Sequence, residues 1–202
     1  MDNMFCFPCG QTAGGTGCTG EAGACGKSAE AAKLQDELTG ALIGLARAAD
    51  TAPEADGRTW SLMIEGLLAT CTSGNSDGAA IRALTGRVRA EKARLVPDCA
   101  VCSAPCGRTS DYDMAQLWGG QEDIRSLKLR ILLGARGMAA YAHHAQVLGC
   151  RDEEVDRFFC KALFSVGEDW NMDELLPVEM ELGEINLKCM ALLDRANTEP
   201  RT

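Results

Sequence analysis

The chain has 202 residues, of which 46% are hydrophobic and 24% charged, and a formal net charge of −9. This is ordinary composition for a globular protein that is large enough to bury a core. The acidic balance argues against a nucleic-acid or anionic membrane surface, since both need clustered Lys and Arg. No apolar run approaches the roughly 20 residues of a membrane span, and the N-terminus has no secretory-signal pattern. We therefore expect a cytoplasmic protein that binds neither nucleic acid nor membrane.

The first predicted element is a loop rich in cysteine and glycine, residues 1–27. It holds four of the chain's 11 cysteines, with the spacing C-x2-C-x8-C-x6-C. These are Cys6, Cys9, Cys18 and Cys25. The odd total and the expected reducing compartment argue against a disulfide framework. Dense cysteine in such a chain indicates a metal, cluster or redox site instead.

The spacing in this loop is more typical of an iron–sulfur centre than of zinc. Cys6 and Cys9 form a C-x2-C pair whose thiolates can converge on one centre, whereas a zinc site usually needs a second such pair, which the loop lacks. The intervening glycines allow the backbone to wrap and its N–H groups to approach the sulfurs. They are Gly10, Gly14, Gly15 and Gly17. We favour iron–sulfur, with zinc or unligated thiols as the alternatives.

The next segment, residues 28–96, has the pattern of a three-helix bundle. Ser28 can cap the first helix, in which apolar residues recur at spacings of three and four. These are Leu34, Leu38, Leu42 and Leu45. A second helix is predicted through residues 60–68 and a third from about 79 to 95.

Residues 97–120 are predicted to form an irregular linker that carries a second group of cysteines. Cys99, Cys102 and Cys106 are spaced C-x2-C-x3-C. They lie close enough in sequence to bind a second metal with a fourth ligand from elsewhere. The alternative, which we favour, is a compact loop with partly buried thiols.

The last segment, residues 121–202, again has the pattern of three helices. Leu34, Leu38 and Gly44 of the first half align at one offset with Leu127, Ile131 and Gly137 of the second. The sequence therefore predicts an all-α fold of two three-helix bundles related by an internal pseudo-repeat. Four glycines fall inside the predicted helices, where each costs about 1 kcal/mol relative to Ala. They are Gly40, Gly44, Gly134 and Gly137. Close backbone approach between helices is the expected compensation.

The remaining candidate ligands are interpreted as structural. Four cysteines lie in or beside helices among apolar residues, where free thiols usually pack. They are Cys71, Cys150, Cys160 and Cys189. His143 and His144 point about 100° apart around a helix and do not readily share a metal. Glu65 lies in an apolar run and could pair with an Arg or Lys. We assign no catalytic residue.

Several separate stretches of the chain carry a family resemblance. The opening reads MFCFPCGQTAGGTGC…CGK, and further matching stretches follow along nearly the whole chain. They are LQDELTGALIG, IEGLLATCT, EDIRSLK, RGMAAYAHHAQVLG and MDELLPVEMELGEINLKCMALLDRANT. Together they resemble the N-terminal domain of the hybrid-cluster proteins, also called prismane proteins or hydroxylamine reductases.

The resemblance implies a pair of three-helix bundles and a loop that binds a [4Fe–4S] cluster, or a [2Fe–2S] centre in other classes. Carried over by position, the ligands are Cys6, Cys9, Cys18 and Cys25. Pro8 and Gly10 replace the glutamine and the acidic or polar residue that are usual in the family. The gap between Cys18 and Cys25 is one residue longer than is usual in the [4Fe–4S] class. We favour the [4Fe–4S] cluster.

The resemblance also limits the functions that we expect for this chain. Family members are more than twice as long, and their catalytic hybrid cluster lies between later domains whose ligand motifs have no counterpart here. We expect an electron-transfer module that works with a redox partner protein or a catalytic subunit. One alternative is a fragment or subunit of a hydroxylamine reductase, which converts hydroxylamine to ammonia. The other is a structural helical protein in which zinc ties the N-terminal loop to the bundle.

Overall fold

The computed structural model describes residues 5–6, 17–71, 77–96 and 110–198. Within these residues the regular elements are α-helices, together with two isolated backbone bridges in the N-terminal loop. The helices are α1 (Ala29–Ala49), α2 (Gly57–Ala69), α3 (Gly78–Leu95), α4 (Met114–Trp118), α5 (Glu122–Val147), α6 (Glu153–Gly167) and α7 (Met172–Thr198). The prediction of an all-α fold is confirmed. In the described part of the chain, no helix is both long enough and apolar enough to cross a membrane.

Side-chain caps fix where the helices begin. The Ser28 hydroxyl accepts a hydrogen bond from the Ala31 N–H at 3.1 Å, so Ser28 caps α1 as the sequence predicts. Aspartates cap four further helices by accepting from backbone N–H groups in the first turn. They are Asp56 at α2, Asp77 at α3, Asp113 at α4 and Asp152 at α6. Such caps typically contribute about 1 kcal/mol each, because they satisfy donors that the helix leaves open.

Helix α1 lies at the centre of the molecule. Its residues Leu38, Leu42 and Leu45 are completely buried, and it contacts α2, α3, α4 and α6. Helices α1 to α3 contact one another, as do α5 to α7, and α2 also packs on α5 and α6. One hydrophobic core runs through both sets. The division into two bundles and the internal pseudo-repeat stay predictions.

The segment between the two sets differs from the irregular linker that the sequence predicts. Residues 97–109 lie outside the described part, but α4 forms a short helix that buries Met114 and Leu117. Just before it, the chain crosses α1, and the Tyr112 N–H donates to the Gly40 carbonyl at 2.9 Å. The sequence signal for α4 is the Asp113 cap followed by apolar residues three positions apart.

The helix glycines serve different purposes. A Cβ built on Gly40 would lie 2.2 Å from the Tyr112 carbonyl oxygen, and one on Gly44 would lie 2.9 Å from the Ser110 carbonyl oxygen. These two glycines therefore admit an extended segment. Gly134 faces the side chain of Leu182 on α7, whereas a Cβ on Gly137 would meet nothing within 4 Å. None of the four glycines shows the expected close backbone approach between helices, because the backbone that approaches Gly40 and Gly44 belongs to residues 110–112 and Gly134 meets a side chain.

Candidate functional site

Two of the predicted ligands are paired through their backbones in the N-terminal loop. The Cys6 N–H donates to the Cys18 carbonyl at 3.1 Å, and the Cys18 N–H donates to the Cys6 carbonyl at 2.8 Å. The two residues form an antiparallel bridge, and directly opposed residues of such a pair project their side chains on the same face. Gly17 has a φ of 83°, which only glycine adopts readily. The bridge therefore sets two thiols side by side.

Cys25 lies in a tight turn that returns the loop to α1. The Gly23 N–H donates to the Lys27 carbonyl and the Gly26 N–H to the Gly23 carbonyl, both at 2.8 Å. Gly26 has a φ of 83°, so the turn depends on a glycine there. Of the four glycines predicted to let the loop wrap, Gly17 is described and has a positive φ, whereas Gly10, Gly14 and Gly15 lie outside the described residues.

The structure locates three of the four predicted loop ligands. Cys6, Cys18 and Cys25 are half-buried, while Cys9 lies outside the described residues. Across residues 5–6, 17–71, 77–96 and 110–198, three or more His, Cys, Asp or Glu side chains do not converge as a metal site. The ligand set of the loop stays a prediction. The second predicted group also lies outside the described part; it comprises Cys99, Cys102 and Cys106.

Lys27 and Phe5 anchor the described part of the loop to the helices. Lys27, which is buried, donates its Nζ hydrogen to Oε1 of Gln35, and Gln35 donates in turn to the Ala69 carbonyl at 3.3 Å. At the other point the Phe5 ring packs edge-on against Trp118, with centroids 5.4 Å apart. The first anchor ties the cysteine turn to the start of α1 and the end of α2.

Helix α5 contributes a buried guanidinium between α1 and the end of α2. Arg136 is 3% exposed. It donates to the Thr39 hydroxyl and the Thr70 hydroxyl, each at 2.9 Å. The two hydroxyls donate onward to the carbonyls of Gln35 and Leu67. Burial lowers the pKa of Arg136, and the opposing contributions come from Asp36, Cys71 and Cys6. Arg136 is thus held by the hydroxyls of Thr39 on α1 and of Thr70, which directly precedes Cys71.

Asp36 is the carboxylate that faces this region. It lines a cleft together with Phe5 and Trp118. Burial raises its pKa from 3.8 to about 6, although the charges of Arg136 and Lys27 act in the opposite direction. This carboxylate is therefore mostly ionised at pH 7 and loses its charge as the pH falls through about 6.

The raised pKa of Asp36 predicts a dependence of stability on pH. Between 3.8 and about 6 the folded chain binds a proton that the unfolded chain has lost, so the free energy of unfolding falls as the pH rises through this window. Above this pH window, the raised pKa of Asp36 lowers the free energy of unfolding by about 2–3 kcal/mol. Asp36→Asn should remove this cost. We expect urea unfolding to show the variant more stable than wild type at about pH 7.5 and nearly equal at about pH 4. The same stability difference at both pH values would contradict this origin.

The helix cysteines fall into two groups. Cys160 and Cys189 are buried, and burial raises the pKa of their thiols to about 12 and about 11. Their sulfur atoms donate to backbone carbonyls of α1 and α5. A thiol that keeps its proton is a poor metal ligand. Cys71 and Cys150 are half-buried, and Cys71 lies near Arg136 at the end of α2.

The remaining sequence candidates have ordinary contacts. The rings of His143 and His144 have centroids 6.3 Å apart and diverge along α5. Glu65 pairs with Arg87 through two hydrogen bonds of 2.7 and 2.9 Å at the surface. The partner that sequence alone could not identify for Glu65 is therefore Arg87.

The residues that sequence analysis missed are Arg136 and Asp36. A signal for Arg136 is present, because it is the one charged residue in the apolar run ILLGARGMAA. A lone arginine in such a run needs buried acceptors or a counter-charge. Its acceptors come from α1 and from the residue after α2, which no sequence pattern links to position 136.

Comparison with known proteins identifies the family of the chain and several of its relatives. The sequence model of the Prismane/CO dehydrogenase family matches residues 4–200. A hydroxylamine reductase of Nitratidesulfovibrio vulgaris is 37% identical over 96% of this chain. The hydroxylamine reductases of Acetivibrio thermocellus and Methanococcus vannielii are 38% and 34% identical, each over 97% of it. The chain spans 39% of the length of each of these three relatives.

Proposed function

Because the chain belongs to the Prismane/CO dehydrogenase family, we propose that it binds an iron–sulfur centre and transfers electrons in hydroxylamine reductase chemistry. The residues that would hold the centre are Cys6, Cys9, Cys18 and Cys25. When bound, such a centre takes up an electron and releases it again. Four thiolate ligands leave no coordination position for a nitrogen substrate.

The observation that carries the proposal is the backbone pairing of Cys6 with Cys18. It directs two thiols to the same face of the loop, and Cys25 follows in a glycine turn. Lys27, two residues after Cys25, is a buried cation. Positive charge near cysteine favours the thiolate, which is the form that binds a metal. The paired Cys6 and Cys18 thiols thus support a cysteine-ligated cluster.

The cluster we propose is [4Fe–4S], with [2Fe–2S] as the alternative. The electron donor or acceptor would be a redox partner protein or a catalytic subunit. The relatives are named hydroxylamine reductases, and this chain spans 39% of their length. Reduction of hydroxylamine to ammonia is accordingly the alternative function, with the catalytic residues located on the remaining part of the family's length or on a partner chain.

Metal and sulfide analysis tests the proposal. The protein is purified without oxygen and assayed for iron, zinc and acid-labile sulfide. We expect iron and sulfide in about equal amounts, together with the broad visible absorption of an iron–sulfur protein. Zinc alone, or iron without sulfide, would contradict an electron-transfer role and support a zinc-clipped structural protein.

An activity assay separates electron transfer from catalysis. The loaded protein is mixed with hydroxylamine and a reduced low-potential dye, and ammonia is measured. We expect the centre to oxidise and reduce without forming ammonia. Ammonia formation by this chain alone would place the chemistry on it.

A further inference from the structure

Helix α7 carries a row of apolar side chains on its solvent side. Leu176, Met180, Leu187 and Met190 are exposed, and for Met180 and Leu187 the exposed fraction is 74% and 68%. Together with Gly183, which is also exposed, they recur along α7 at spacings of four, three, four and three residues. We call these five positions the α7 seam.

The core uses a different side of α7. Val178, Ile185 and Cys189 are buried, and the helix packs on α5 and α6. Helix α7 is therefore apolar on two sides, whereas a helix on the surface of a globular protein normally has a single apolar stripe. Within the described residues, the α7 seam stays exposed to solvent.

The alternating spacing of the α7 seam is that of a coiled coil, in which apolar residues three and four positions apart meet the same kind of row on another helix. The exposed apolar surface continues on the neighbouring helix, where Leu133 and Tyr141 of α5 are also exposed. Single exposed apolar side chains are ordinary, but a contiguous patch indicates a surface that binds a protein. The pattern therefore specifies a helical partner.

The α7 seam also complements itself. A Cβ on Gly183 would meet nothing within 4 Å in the described part of the chain, so this glycine leaves an open notch. When two copies of α7 run antiparallel with their seams in contact and position 185 at the midpoint, Leu187 of each copy lies opposite Gly183 of the other, and Met180 lies opposite Met190. A large side chain that faces a small one fills an interface without overlap.

The charges of α7 favour the antiparallel orientation. Residues 172–184 include five acidic residues and no basic one, whereas residues 185–198 include two basic residues and one acidic residue. They are Asp173, Glu174, Glu179, Glu181 and Glu184 in the first half, and Lys188, Asp194 and Arg195 in the second. An antiparallel pair sets the acidic half of each helix beside the more basic half of the other, while a parallel pair would set the two acidic halves together.

The size of the surface suits a stable dimer. Helices α5 and α7 have 26 and 27 residues, so each is about 40 Å long. Two packed helices are together about 20 Å wide. Their outer face therefore offers about 800 Å², which is what each partner contributes to an interface of standard size.

We propose that the α7 seam is the interface of a homodimer, in which α7 packs antiparallel on α7 of a second copy and Leu133 and Tyr141 of α5 widen the contact. The partner is a second copy because the seam supplies both the large side chain and the notch that receives it. A well-packed interface of this size has a dissociation constant in the micromolar range or below. This inference does not depend on the proposed function, since it uses no residue of the N-terminal loop.

The test is the mass of the full chain in solution, measured by analytical ultracentrifugation at about 1 and about 100 μM after purification without oxygen. We expect the mass of two chains at the higher concentration. Leu187→Glu should raise the dissociation constant at least about hundredfold, because the symmetry of the dimer places the unpaired charge in the contact twice. Ala83→Glu is the matched control. It adds the same charge at an exposed position of α3, a helix that packs on α1 and α2, and should keep the wild-type dissociation constant.

Gly183→Leu tests the antiparallel register. In the single chain the added side chain enters open space, and leucine is the better helix former, so helical circular dichroism and urea unfolding should show a fold at least as stable as wild type. In the dimer the new side chain would overlap Leu187 of the other copy. The variant should therefore raise the dissociation constant at least about tenfold. If Leu187→Glu fails to fold, Gly183→Leu decides the question alone.

Three outcomes would overturn the proposal. A wild-type chain with the mass of one copy at about 100 μM would leave the α7 seam to a different protein. A dimer that survives both Leu187→Glu and Gly183→Leu would have its contact elsewhere. Equal weakening by Ala83→Glu would show that net charge controls the association. Iron and sulfide are measured separately, so a failure of the proposed function does not change the reading of these masses.

Discussion

Replacing Cys18 with Ala should abolish the iron–sulfur centre, while replacing Cys160 with Ala should leave it in place. Cys18 lies opposite Cys6 in the loop, and a cluster that loses one of four thiolates loses its hold on the chain. Cys160 is buried between α6 and α1, where its sulfur donates to the Ala46 carbonyl. Its loss should cost about 1–2 kcal/mol of stability without touching the ligands.

The measurement is iron and sulfide content per chain, with the visible spectrum, for wild type and both variants. Cys9→Ala, at the fourth predicted ligand, should behave like Cys18→Ala. Urea unfolding followed by helical circular dichroism gives the stability cost at Cys160. Equal metal loss from Cys18→Ala and Cys160→Ala would show that our assignment of Cys18 as a ligand and Cys160 as a structural cysteine is wrong.

Gly40→Ala should be strongly destabilising, although alanine is the better helix former. The added Cβ would lie 2.2 Å from the Tyr112 carbonyl oxygen, and backbone atoms cannot rotate aside as a side chain can. The segment before α4 would have to leave α1 and give up the hydrogen bond from the Tyr112 N–H. We expect a net cost of about 3 kcal/mol, measured by urea unfolding.

Gly137→Ala is the matched control for Gly40→Ala. Gly137 is also inside a helix, but a Cβ there would meet nothing within 4 Å. The gain in helix propensity is then unopposed, and the variant should be stabilised by about 0.5–1 kcal/mol. Similar stability changes at the two positions would show that the segment before α4 does not press on Gly40.

Local patterns predict the helices well because those helices bury a regular stripe. The spacing of Leu34, Leu38, Leu42 and Leu45 identifies α1, and Ser28 marks its start. Helix α4 is missed because five residues give too little periodicity to stand out from a cysteine- and glycine-rich segment. The packing of Tyr112 against Gly40 is also missed, since it joins residues that are distant in sequence.

Some residues of the candidate site can be predicted from sequence, and others cannot. The cysteines of the loop can be selected from their spacing, because ligands of one centre come in characteristic intervals. The cations behind the loop cannot, because their positions depend on how α1, α2 and α5 pack. Arg136 meets Thr39 and Thr70 only in the folded chain, and the raised pKa of Asp36 is likewise a product of burial.

The hydrophobic core that both sets of helices share affects how the chain unfolds. Side chains of α1 and α2 pack against α5 and α6 in this core. Residues 28–96 expressed alone would therefore expose a large apolar surface to water. The two halves should therefore melt together in one cooperative step. Since Arg136 of one half hydrogen-bonds to Thr39 and Thr70 of the other, that step would also separate the guanidinium from the cysteine turn.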